Sequence, residues 1–553
     1  MITLAEYLVE QLNKLGIEDV FGLPGDFNFD LVGAVEKSPS TNWIGSTNEL
    51  NAGYCADGYA REKGFGAVIT TYGVGELSAI NAIAGCKSEN VPVIKITGIP
   101  STQHIKNRTL LHHNLETADY HAFYNAYKNV VETSAFLNKY NAVKEINRVI
   151  NVMVKTRKPV YLAIPTDVAT MRIENPNTEI IFPKSNRRNL KKAVEKIMEA
   201  IKSSKKPIVI ADILAQRFCA KEDLNRFLIN TQIPSTCFVR GLDIIDAKTP
   251  NYFGAFAGKL DNEICANYLD TSDCIINVGC VYSDLNTMNF AIKPNKEQSI
   301  DIQADYVSVK GKKFKNVLIK DVLFELSKNF DFKFEETFQK TFKYEPVETT
   351  ETKPLTCDYI YSRLNGFLKE SDIFVNEVGL STFGVMKMEL PKNVHIHNQI
   401  LWGSIGWATP CTLGCALAQR NKRVILITGD GAHQLTAQEI STMMRHDVKP
   451  IIFVVNNSGY TVERILCEDP NAKYNDIAKW NYAILPQVFK GDCYTRQVHT
   501  NTGFDEALRD IEQIQKEKMC YIELFTKYLD IPNLANALAK YSQEVYANLS
   551  EKE

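Results

Sequence analysis

The fold is decided by residues 429–463, GDGAHQLTAQEISTMMRHDVKPIIFVVNNSGYTVE, in which two apolar runs end in two turn sequences. The run RVILIT precedes the GDG turn, and the run PIIFVV precedes the NNSG turn. Continuous apolar runs that end in such turns predict buried strands. Residues 432–455, between the turns, are enough for one crossover helix and a return strand. The two strands are therefore predicted to be parallel neighbours whose turns lie side by side at one sheet edge.

Both turns offer oxygen ligands. Asp430 carries a carboxylate, Asn457 an amide oxygen and Gly459 a backbone carbonyl, and Mg²⁺ accepts such hard donors while it keeps positions for phosphate and water. Thr436 and Glu439 have the spacing of a capping box, so a helix is predicted to start there, and its N-terminus would suit phosphate. A single GDG is more often a plain strand-ending turn, but the pair of turns predicts a site for Mg²⁺ and a diphosphate.

Similar apolar runs recur along the chain and alternate with longer helical patterns. The first series is DVFGLPG, GAVITTYG, PVIKITG and PVYLAIP, and the second is PIVIADI, CIINVG, SIDIQAD and NVLIKD. The third series is DIFVNEVG, RVILITGDG, PIIFVVNN and CYIELF. Runs that are apolar on both faces and separated by helices are typical of parallel sheets covered by helices. The fold class is therefore predicted to be α/β, with doubly wound domains on mainly parallel sheets.

Two polar segments without periodicity divide the chain. They lie near residues 174–189 and 330–356 and have the composition of linkers. They predict an N-terminal domain over residues 1–175, a central α/β domain over 190–335 and a C-terminal domain over 356–553. A chain of 553 residues is also too long for one hydrophobic core.

Composition excludes several classes of protein. The formal net charge of -2 leaves no basic field for a nucleic acid, and no apolar run is long enough to span a membrane. The 13 cysteines include no Cys-x-x-Cys pair, which argues against a disulfide framework or a structural zinc site and indicates a reducing compartment. The N-terminal sequence MITLAEYLVEQLNKLGI predicts an amphipathic helix and not a signal peptide. A cytoplasmic location is therefore expected.

Further segments extend the GDG and NNSG pattern over nearly the whole chain. They are FGLPGDFNFDL, NELNAGYCADGYAR, TYGVGELSAINAIAG, LLHHNL, LWGSIGW and NNSGYTVE. Together they resemble segments of the thiamine diphosphate-dependent decarboxylases of pyruvate, indolepyruvate and branched-chain 2-keto acids. The resemblance implies a thiamine diphosphate-binding fold, in which the first domain binds the pyrimidine ring and the third binds the diphosphate. It also implies thiamine diphosphate and Mg²⁺ as cofactors.

The resemblance assigns the residues that bind the cofactor. Glu49 matches the activating glutamate, which helps the aminopyrimidine take the imino form that removes the thiazolium C2 proton. Ile405 matches the bulky residue that bends the cofactor. Asp430, Asn457 and Gly459 would hold Mg²⁺. The other cofactor-binding residues implied are Gly403, Ser404, Gly429, Gly431, Ala432 and Tyr460.

Decarboxylation leaves an enamine carbanion that must be protonated, so acids are required near the reacting carbon. Asp26, His112, His113 and Glu463 match the family's four proton-handling residues. Histidine titrates near neutrality, and a carboxylate in a crowded apolar pocket can hold a proton. Adjacent histidines are more often solvated side chains, but this pair falls at the family's position. The remaining histidines have no such match and are interpreted as surface or structural residues.

The implied site residues fall in two different domains. Asp26, Glu49 and the two histidines lie in the first, whereas Asp430, Asn457 and Glu463 lie in the third. The family places the cofactor between the first domain of one subunit and the third domain of its neighbour. The resemblance therefore implies a homodimer with shared active sites, and a homotetramer of two such dimers.

A substrate pocket for a small 2-keto acid is implied as well. Relatives more often carry polar residues where Val378 and Leu380 stand, and Thr382 leaves more room than the Phe of some branched-chain enzymes. Aliphatic 2-keto acids, branched-chain or short, are the predicted substrates, and aromatic acids such as phenylpyruvate or indolepyruvate are the alternative. The implied pocket residues are Val378, Leu380, Thr382, Val462, Leu285 and Leu538.

Two other functions use the same motifs. An acetolactate synthase-like carboligase would join two keto acids and usually bind FAD, but it benefits from slow protonation, against which the histidine pair argues. A catalytically silent thiamine diphosphate binder would need only the motif of the third domain, and the presence of Glu49 and all four proton-handling residues argues against it. A dehydrogenase is weaker still, because no G-x-G-x-x-G follows a strand.

Overall fold

The computed structural model describes residues 1–258, 262–292, 295–338, 344 and 351–536. Over these residues the chain forms three α/β units, each built on one large sheet, together with a small two-stranded sheet. The predicted α/β class with mainly parallel sheets is confirmed. Leu538, one of the implied pocket residues, lies outside the described residues.

The first unit, residues 2–173, has a six-stranded parallel sheet of order β3-β2-β4-β5-β7-β6. Its strands are β1 Ile2–Thr3, β2 Asp19–Gly22, β3 Asn42–Gly45, β4 Gly66–Thr71, β5 Val93–Ile99, β6 Thr133–Phe136, β7 Val160–Pro165 and β8 Arg172–Ile173. Its helices are α1 Leu4–Lys14, α2 Phe29–Lys37, α3 Glu49–Lys63, α4 Val74–Ser88, α5 Thr102–Asn107, α6 Ala122–Val130, α7 Ala142–Thr156 and α8 Thr166–Ala169. β1 and β8 pair antiparallel and bring the two ends of the unit together.

The central unit, residues 187–329, has a seven-stranded sheet of order β11-β10-β9-β12-β13-β14-β15. Its strands are β9 Pro207–Ala211, β10 Ser235–Cys237, β11 Tyr252–Ala255, β12 Cys274–Val278, β13 Ser299–Ile302, β14 Tyr306–Val309 and β15 Lys312–Lys315. Its helices are α9 Arg187–Lys202, α10 Leu214–Arg217, α11 Lys221–Thr231, α12 Glu263–Thr271 and α13 Ile319–Asn329. The last two strands of the sheet form an antiparallel hairpin, so this sheet is parallel only in part.

The third unit, residues 357–525, has a six-stranded parallel sheet of order β17-β16-β18-β19-β21-β20. Its strands are β16 Ile373–Asn376, β17 His395–His397, β18 Val424–Gly429, β19 Ile451–Asn456, β20 Cys493–Val498 and β21 Met519–Phe525. Its helices are α14 Cys357–Phe367, α15 Leu380–Val385, α16 Ala408–Ala418, α17 Asp430–Gln434, α18 Glu439–Arg445, α19 Thr461–Leu466, α20 Leu485–Val488 and α21 Asn501–Ile514.

The two strands that were predicted from residues 429–463 are parallel neighbours. β18 pairs with β19 in a register that runs from Ile425 opposite Ile451 to Gly429 opposite Val455. Their carboxyl ends, and the turns that follow them, therefore lie at the same edge of the sheet. This part of the fold was predicted because both strands are buried and their apolar runs are continuous.

The predicted capping box at Thr436 and Glu439 is wrong. A short helix already begins at Asp430, and the next one begins at Glu439 itself. The Thr436 hydroxyl donates to the carbonyl of Gly406, 30 residues away in sequence, and does not cap a helix. The Glu439 carboxylate accepts hydrogen bonds from the first unit instead of the local backbone. Tertiary contacts have thus overridden a local pattern.

The first and third units are joined by close packing of α3 on α16. A Cβ atom on Gly58 would lie 2.2 Å from the carbonyl oxygen of Cys411, and one on Gly414 would lie 2.0 Å from that of Cys55. Both positions therefore require glycine, because the helix backbones approach too closely for a side chain. The middle of α3 is consequently held against the third unit.

No helix in the described part of the chain is long and apolar enough to cross a membrane. All 13 cysteines are free thiols, and most of them are buried.

Candidate active site

A cleft lies at the carboxyl ends of β16, β18 and β19, and its volume is about 610 Å³ when the open space at its entrance is included. Pockets of this size accommodate cofactors and small ligands. All of its lining residues belong to the third unit. Among the predicted site residues they include Val378, Leu380, Ile405, Gly429, Asp430, Gly431, Ala432, Asn457, Gly459, Tyr460 and Val462. The structure thus brings most of the predicted cofactor-binding residues together at one sheet edge.

Three acceptor oxygens of the two turns face one another in this cleft. The amide oxygen of Asn457 lies 3.3 Å from Asp430 Oδ1 and 3.0 Å from the carbonyl oxygen of Gly459, with no donor between them. Neighbouring ligands of an octahedral Mg²⁺ with bonds near 2.1 Å are about 3 Å apart. Both spacings are compatible with oxygen ligands of one cation, whereas without a cation the amide would turn to donate from its nitrogen.

The backbone fixes the Asp430 carboxylate from two sides. It accepts from the N–H groups of Gly431 at 2.8 Å and Gly459 at 3.2 Å. Burial raises the pKa of Asp430 to about 6, although these backbone donors lower it. A buried carboxylate without a cation is costly, so the site favours a bound cation.

Gly459 and Gly431 are needed for the shape of the cleft. Gly459 has φ +141°, and a Cβ there would lie 2.3 Å from the carbonyl oxygen of Asn475. A Cβ on Gly431 would lie 2.6 Å from the Tyr460 ring, which packs directly on that turn. Side chains at these positions would displace the backbone that carries the three oxygens.

A buried acid that sequence reasoning missed, Glu377, holds the segment that carries Ile405. It follows β16 and accepts hydrogen bonds from the N–H groups of Gly406 at 3.1 Å and Ala408 at 3.4 Å. Its other oxygen accepts from the N–H of Val378 at 3.2 Å. Burial raises the pKa of Glu377 to about 7. One carboxyl group therefore links a predicted cofactor-binding segment to a predicted substrate-binding segment.

A second missed acid, Glu89, holds the start of the same segment. Its Oε1 accepts from the N–H groups of Leu401 at 2.8 Å and Trp402 at 3.1 Å, and its Oε2 pairs with Arg240 at 2.9 Å. These residues come from all three units. Most of the hydrogen-bond partners of Glu377 and Glu89 are distant in the chain.

Gly403 and Ser404 lie beside the first unit and not on the cleft. Gly403 has φ +65°, and the Ser404 hydroxyl is 2.7 Å from the Tyr54 hydroxyl of α3. Ser404 N–H donates to the side chain of Gln399 at 3.0 Å. These two predicted cofactor-binding residues therefore lie where the first and third units of one chain meet.

Three of the predicted proton-handling residues form a cluster on the first unit. His112 Nε2 lies 3.0 Å from Asp26 Oδ2, and the side chains of His112 and Asp26 are 54% and 48% exposed. The His112 ring stacks on Phe27 with centroids 4.9 Å apart, and the His113 ring meets His112 edge-on at 4.4 Å. The structure therefore brings residues 26, 112 and 113 together, on an open surface.

The other two candidates, Glu49 and Glu463, come from different units. Glu49 is the first residue of α3 and is half-buried, and the preceding Asn48 caps the helix by accepting from the N–H of Asn51 at 2.8 Å. Glu463 is exposed on α19 of the third unit. Among the described residues, the lining of the cleft includes neither Glu49 nor the first-unit cluster.

The predicted substrate-pocket residues are in different places. Val378, Leu380 and Val462 line the cleft, whereas Thr382 is buried and its hydroxyl has no hydrogen-bond partner in the described chain. Leu285 is 48% exposed in the central unit and does not line the cleft.

Family models match all three units. The thiamine pyrophosphate enzyme N-terminal TPP binding domain matches residues 2–123, the central domain residues 194–322, and the C-terminal TPP binding domain residues 377–524. Pyruvate decarboxylase isozyme 3 of Saccharomyces cerevisiae is 36% identical over 549 residues, which are 96% of this chain and 96% of that protein. The pyruvate decarboxylases of Candida glabrata and Candida albicans are 36% and 33% identical, and each match covers 99% of both chains.

Proposed function

This chain belongs to the thiamine pyrophosphate enzymes and, among them, to the 2-keto acid decarboxylases, and we propose that it converts aliphatic 2-keto acids, branched-chain or short, to an aldehyde and CO₂ at sites shared by two copies of the chain. Thiamine diphosphate with Mg²⁺ is its cofactor. The observation that carries the proposal is the group of acceptor oxygens of Asp430, Asn457 and Gly459 at the ends of β18 and β19, a donor set that suits Mg²⁺.

Asp430, Asn457 and Gly459 would hold Mg²⁺, and the backbone of Gly431 and Ala432 would face the diphosphate. When bound, thiamine diphosphate supplies the electron sink that accepts the pair released by the departing CO₂. The chain keeps these groups in place through the ends of two paired strands, and hydrogen bonds fix the Asp430 carboxylate. Such preorganisation lowers the entropy lost when the ligand is positioned.

The proton that replaces CO₂ would come from the first-unit cluster. Asp26 and His112 share a close contact of 3.0 Å, so a proton can be held on either Oδ2 or Nε2. The His113 ring meets the His112 ring edge-on, so the two imidazoles are in direct contact. Glu49 would hold a proton at the pyrimidine, and Glu463 would contribute a carboxyl group from the third unit.

Two copies of the chain would be required to assemble these groups. The cleft of one chain is lined by its own third unit, and the first-unit candidates lie elsewhere and largely in the open. A second copy would bring its first unit over the cleft, bury the exposed cluster and complete the site. Homodimers with a two-fold axis form two such sites at once. A homotetramer of two such dimers is the larger assembly that we propose.

The apolar lining supports a substrate with a hydrocarbon side chain. Val378, Leu380 and Val462 offer no polar atoms to a substrate side chain, so they favour hydrocarbon over polar groups. The similarity to pyruvate decarboxylases supports short chains in particular. Leu285, Thr382 and Leu538 remain proposed members of the pocket.

A substrate panel tests the proposal. The purified protein with thiamine diphosphate and Mg²⁺ is assayed for CO₂ and aldehyde on pyruvate, 2-ketoisovalerate, 2-ketoisocaproate, phenylpyruvate and indolepyruvate. We expect kcat/KM for the best aliphatic acid to exceed that for the aromatic acids at least ~10-fold, because a side chain that fits badly costs about 1–3 kcal/mol. A preference for the aromatic acids would overturn the substrate assignment, and acetolactate as the main product would overturn the decarboxylase reaction.

A pocket variant and a matched surface control are assayed on the same panel. Leu380→Ala is expected to shift the preference toward longer acids, because it enlarges the apolar wall. Leu466→Ala removes the same atoms from an exposed position of α19 and is expected to leave the ranking unchanged.

A further inference from the structure

A second group of metal-binding side chains lies outside the active site, where the first and third units meet. Glu62, in the last turn of α3, faces His395 and His397 of β17, the edge strand of the third sheet. His395 Nδ1 lies 2.9 Å from Glu62 Oε1 and 3.2 Å from Oε2, and His397 Nε2 lies 2.6 Å from Oε1. Sequence reasoning interpreted both histidines as surface or structural residues.

The pattern His-x-His on a strand explains why the two rings converge. Side chains at i and i+2 of a strand point to the same face, so His395 and His397 both turn toward α3. Each contributes one ring nitrogen, and the ligand atoms of all three residues lie within 4.8 Å of one another. Two imidazoles and one carboxylate are a common ligand set for zinc.

The spacing of the ligand atoms is close to that of a metal polyhedron. Four ligands at about 2.0 Å from a tetrahedral Zn²⁺ are about 3.3 Å apart. The observed oxygen-to-nitrogen distances of 2.6–3.2 Å would need an expansion of about 0.1 to 0.7 Å to reach that value. Flexible side chains of a buried cluster can make this adjustment by small rotations.

Burial and charge suit a cation that is bound by few ligands. The side chains of Glu62 and His397 are 0% and 1% exposed, whereas that of His395 is 31% exposed. Solvent therefore reaches the cluster from one side, where a water molecule can be the fourth ligand. The neighbouring guanidinium of Arg61 is neutralised by Asp57 at 2.5 Å, so the Glu62 charge remains available.

We propose that Glu62, His395 and His397 bind one divalent transition-metal ion of the Zn²⁺ class, which fastens the end of α3 to the edge of the third sheet. This site differs from the magnesium site in its donors, because imidazole nitrogen suits Zn²⁺ whereas Mg²⁺ prefers oxygen alone. The ion bridges two units of one chain, and α3 carries Glu49 at its other end. Metal binding therefore stabilises the packing that holds the pyrimidine side of the active site.

The test measures Zn²⁺ binding to the full-length protein loaded with thiamine diphosphate and Mg²⁺. Equilibrium dialysis followed by elemental analysis is expected to give one tightly bound Zn²⁺ per chain. His395→Gln is expected to weaken this binding at least ~100-fold, because even the loss of a group that only supports a ligand costs 10- to 100-fold. His395 is partly exposed, so this variant is chosen over substitutions of the buried Glu62 or His397.

Two controls separate this site from others. His104→Gln removes an exposed histidine of α5 and is expected to retain the bound Zn²⁺. His112→Gln removes a ligand from the other cluster of suitable residues, Asp26, His112 and His113, and is also expected to retain it. Loss of the tight site in His112→Gln but not in His395→Gln would overturn the proposal.

Thermal unfolding gives a second readout that does not depend on activity. Stoichiometric Zn²⁺ is expected to raise the unfolding temperature of the wild type and of His104→Gln, but not that of His395→Gln, because an ion that binds only the folded chain stabilises it. If the wild type binds no stoichiometric Zn²⁺ and its unfolding temperature does not change, the cluster is a buried ion pair only and the proposal is wrong.

Discussion

The proposed active site has one half in the third unit and one in the first, and a single chain completes these halves to different extents. In the third unit, Asp430 is 1% exposed and its carboxylate is fixed by two backbone donors. In the first unit, the side chains of Asp26 and His112 are 48% and 54% exposed and form an open cluster. The proposed metal-binding side is therefore preorganised within one chain, whereas the proposed proton-handling side is open. Substitutions in the two halves should have different consequences.

Asp430→Asn is expected to have the largest effect. It removes the only charged group among the three facing oxygens, so we expect kcat/KM to fall by on the order of 10³-fold or more, together with loss of thiamine diphosphate and Mg²⁺ binding. Asp447→Asn is the matched control, because the Asp447 side chain is 85% exposed, and its activity is expected to stay within about twofold of the wild type. Retained cofactor affinity in Asp430→Asn would contradict the assignment of the metal site.

The same variant distinguishes a lost ligand from a damaged fold. Burial raises the pKa of Asp430 to about 6, so ionisation of this carboxyl destabilises the cofactor-free protein as the pH rises from the carboxyl's ordinary pKa through 6. At pH 7 the cofactor-free Asp430→Asn protein is therefore expected to unfold at the same temperature as the wild type or a higher one. A lower unfolding temperature of the Asp430→Asn protein would show that its loss of activity comes from a damaged fold.

Asp26→Asn is expected to have the next largest effect, and of a different kind. We expect kcat to fall ~100-fold, because a positioned proton donor contributes about 10²–10⁴-fold, while the affinity for thiamine diphosphate changes little. Asp30→Asn, at an exposed position of α2, serves as control and is expected to be as active as the wild type. A parallel loss of cofactor affinity in Asp26→Asn would show that the first-unit cluster binds the cofactor and does not handle protons.

Glu377→Gln is expected to have a moderate effect on cofactor binding. The amide nitrogen of Gln would face backbone N–H groups that now donate to the carboxylate of Glu377. We expect the KM for thiamine diphosphate to rise ~10-fold and the free energy of unfolding to fall by about 1–3 kcal/mol. The exposed Glu370→Gln is the control. An unchanged KM for the cofactor would show that Glu377 does not position Ile405 for cofactor binding.

The smallest expected effect concerns pH and His433. This histidine is buried between the hydroxyls of Thr409 and Tyr521, each 2.8 Å from a ring nitrogen, and burial lowers its pKa to about 3. A lowered pKa means that the neutral ring is favoured in the folded state, so its stabilising effect is complete above pH 6.5 and is lost as the pH falls toward 3.

Unfolding by urea at pH 7 and pH 5 measures this effect. Between these values the wild type is expected to lose about 2 kcal/mol more than His433→Gln, because the unfolded histidine takes up a proton that the folded one does not. The exposed His104→Gln is expected to behave like the wild type. Equal losses in the wild type and His433→Gln would contradict the neutral state of His433.

The sequence predicts the third unit well where the information is local. The strands β18 and β19 were predicted because each is a continuous apolar run. Their turns lie side by side because a single crossover helix makes the two strands parallel neighbours. The helix start at Thr436 was predicted wrongly for the opposite reason. Glu439 forms hydrogen bonds with Thr47 and Asn51, which are 392 and 388 residues away in sequence, and no local pattern contains that information.

The groups that reasoning from sequence missed all depend on distant partners. Glu377 holds Gly406, 29 residues away, and Glu62 meets His395 from 333 residues away. Their neighbours in sequence give no sign of these contacts, because buried acids find their donors only when the units pack. The two histidines of β17 could have been noticed from their i, i+2 spacing on a strand, but the carboxylate they face could not.

The central claim is that each active site combines the first unit of one chain with the third unit of another. Glu49→Gln and Asp430→Asn are each expected to be inactive as homodimers. A heterodimer of the two, purified through two different tags, is expected to recover about half of the wild-type activity per dimer, because one of its two sites then contains neither substitution. A heterodimer as inactive as its two parents would contradict the claim and would mean that each chain builds its own site.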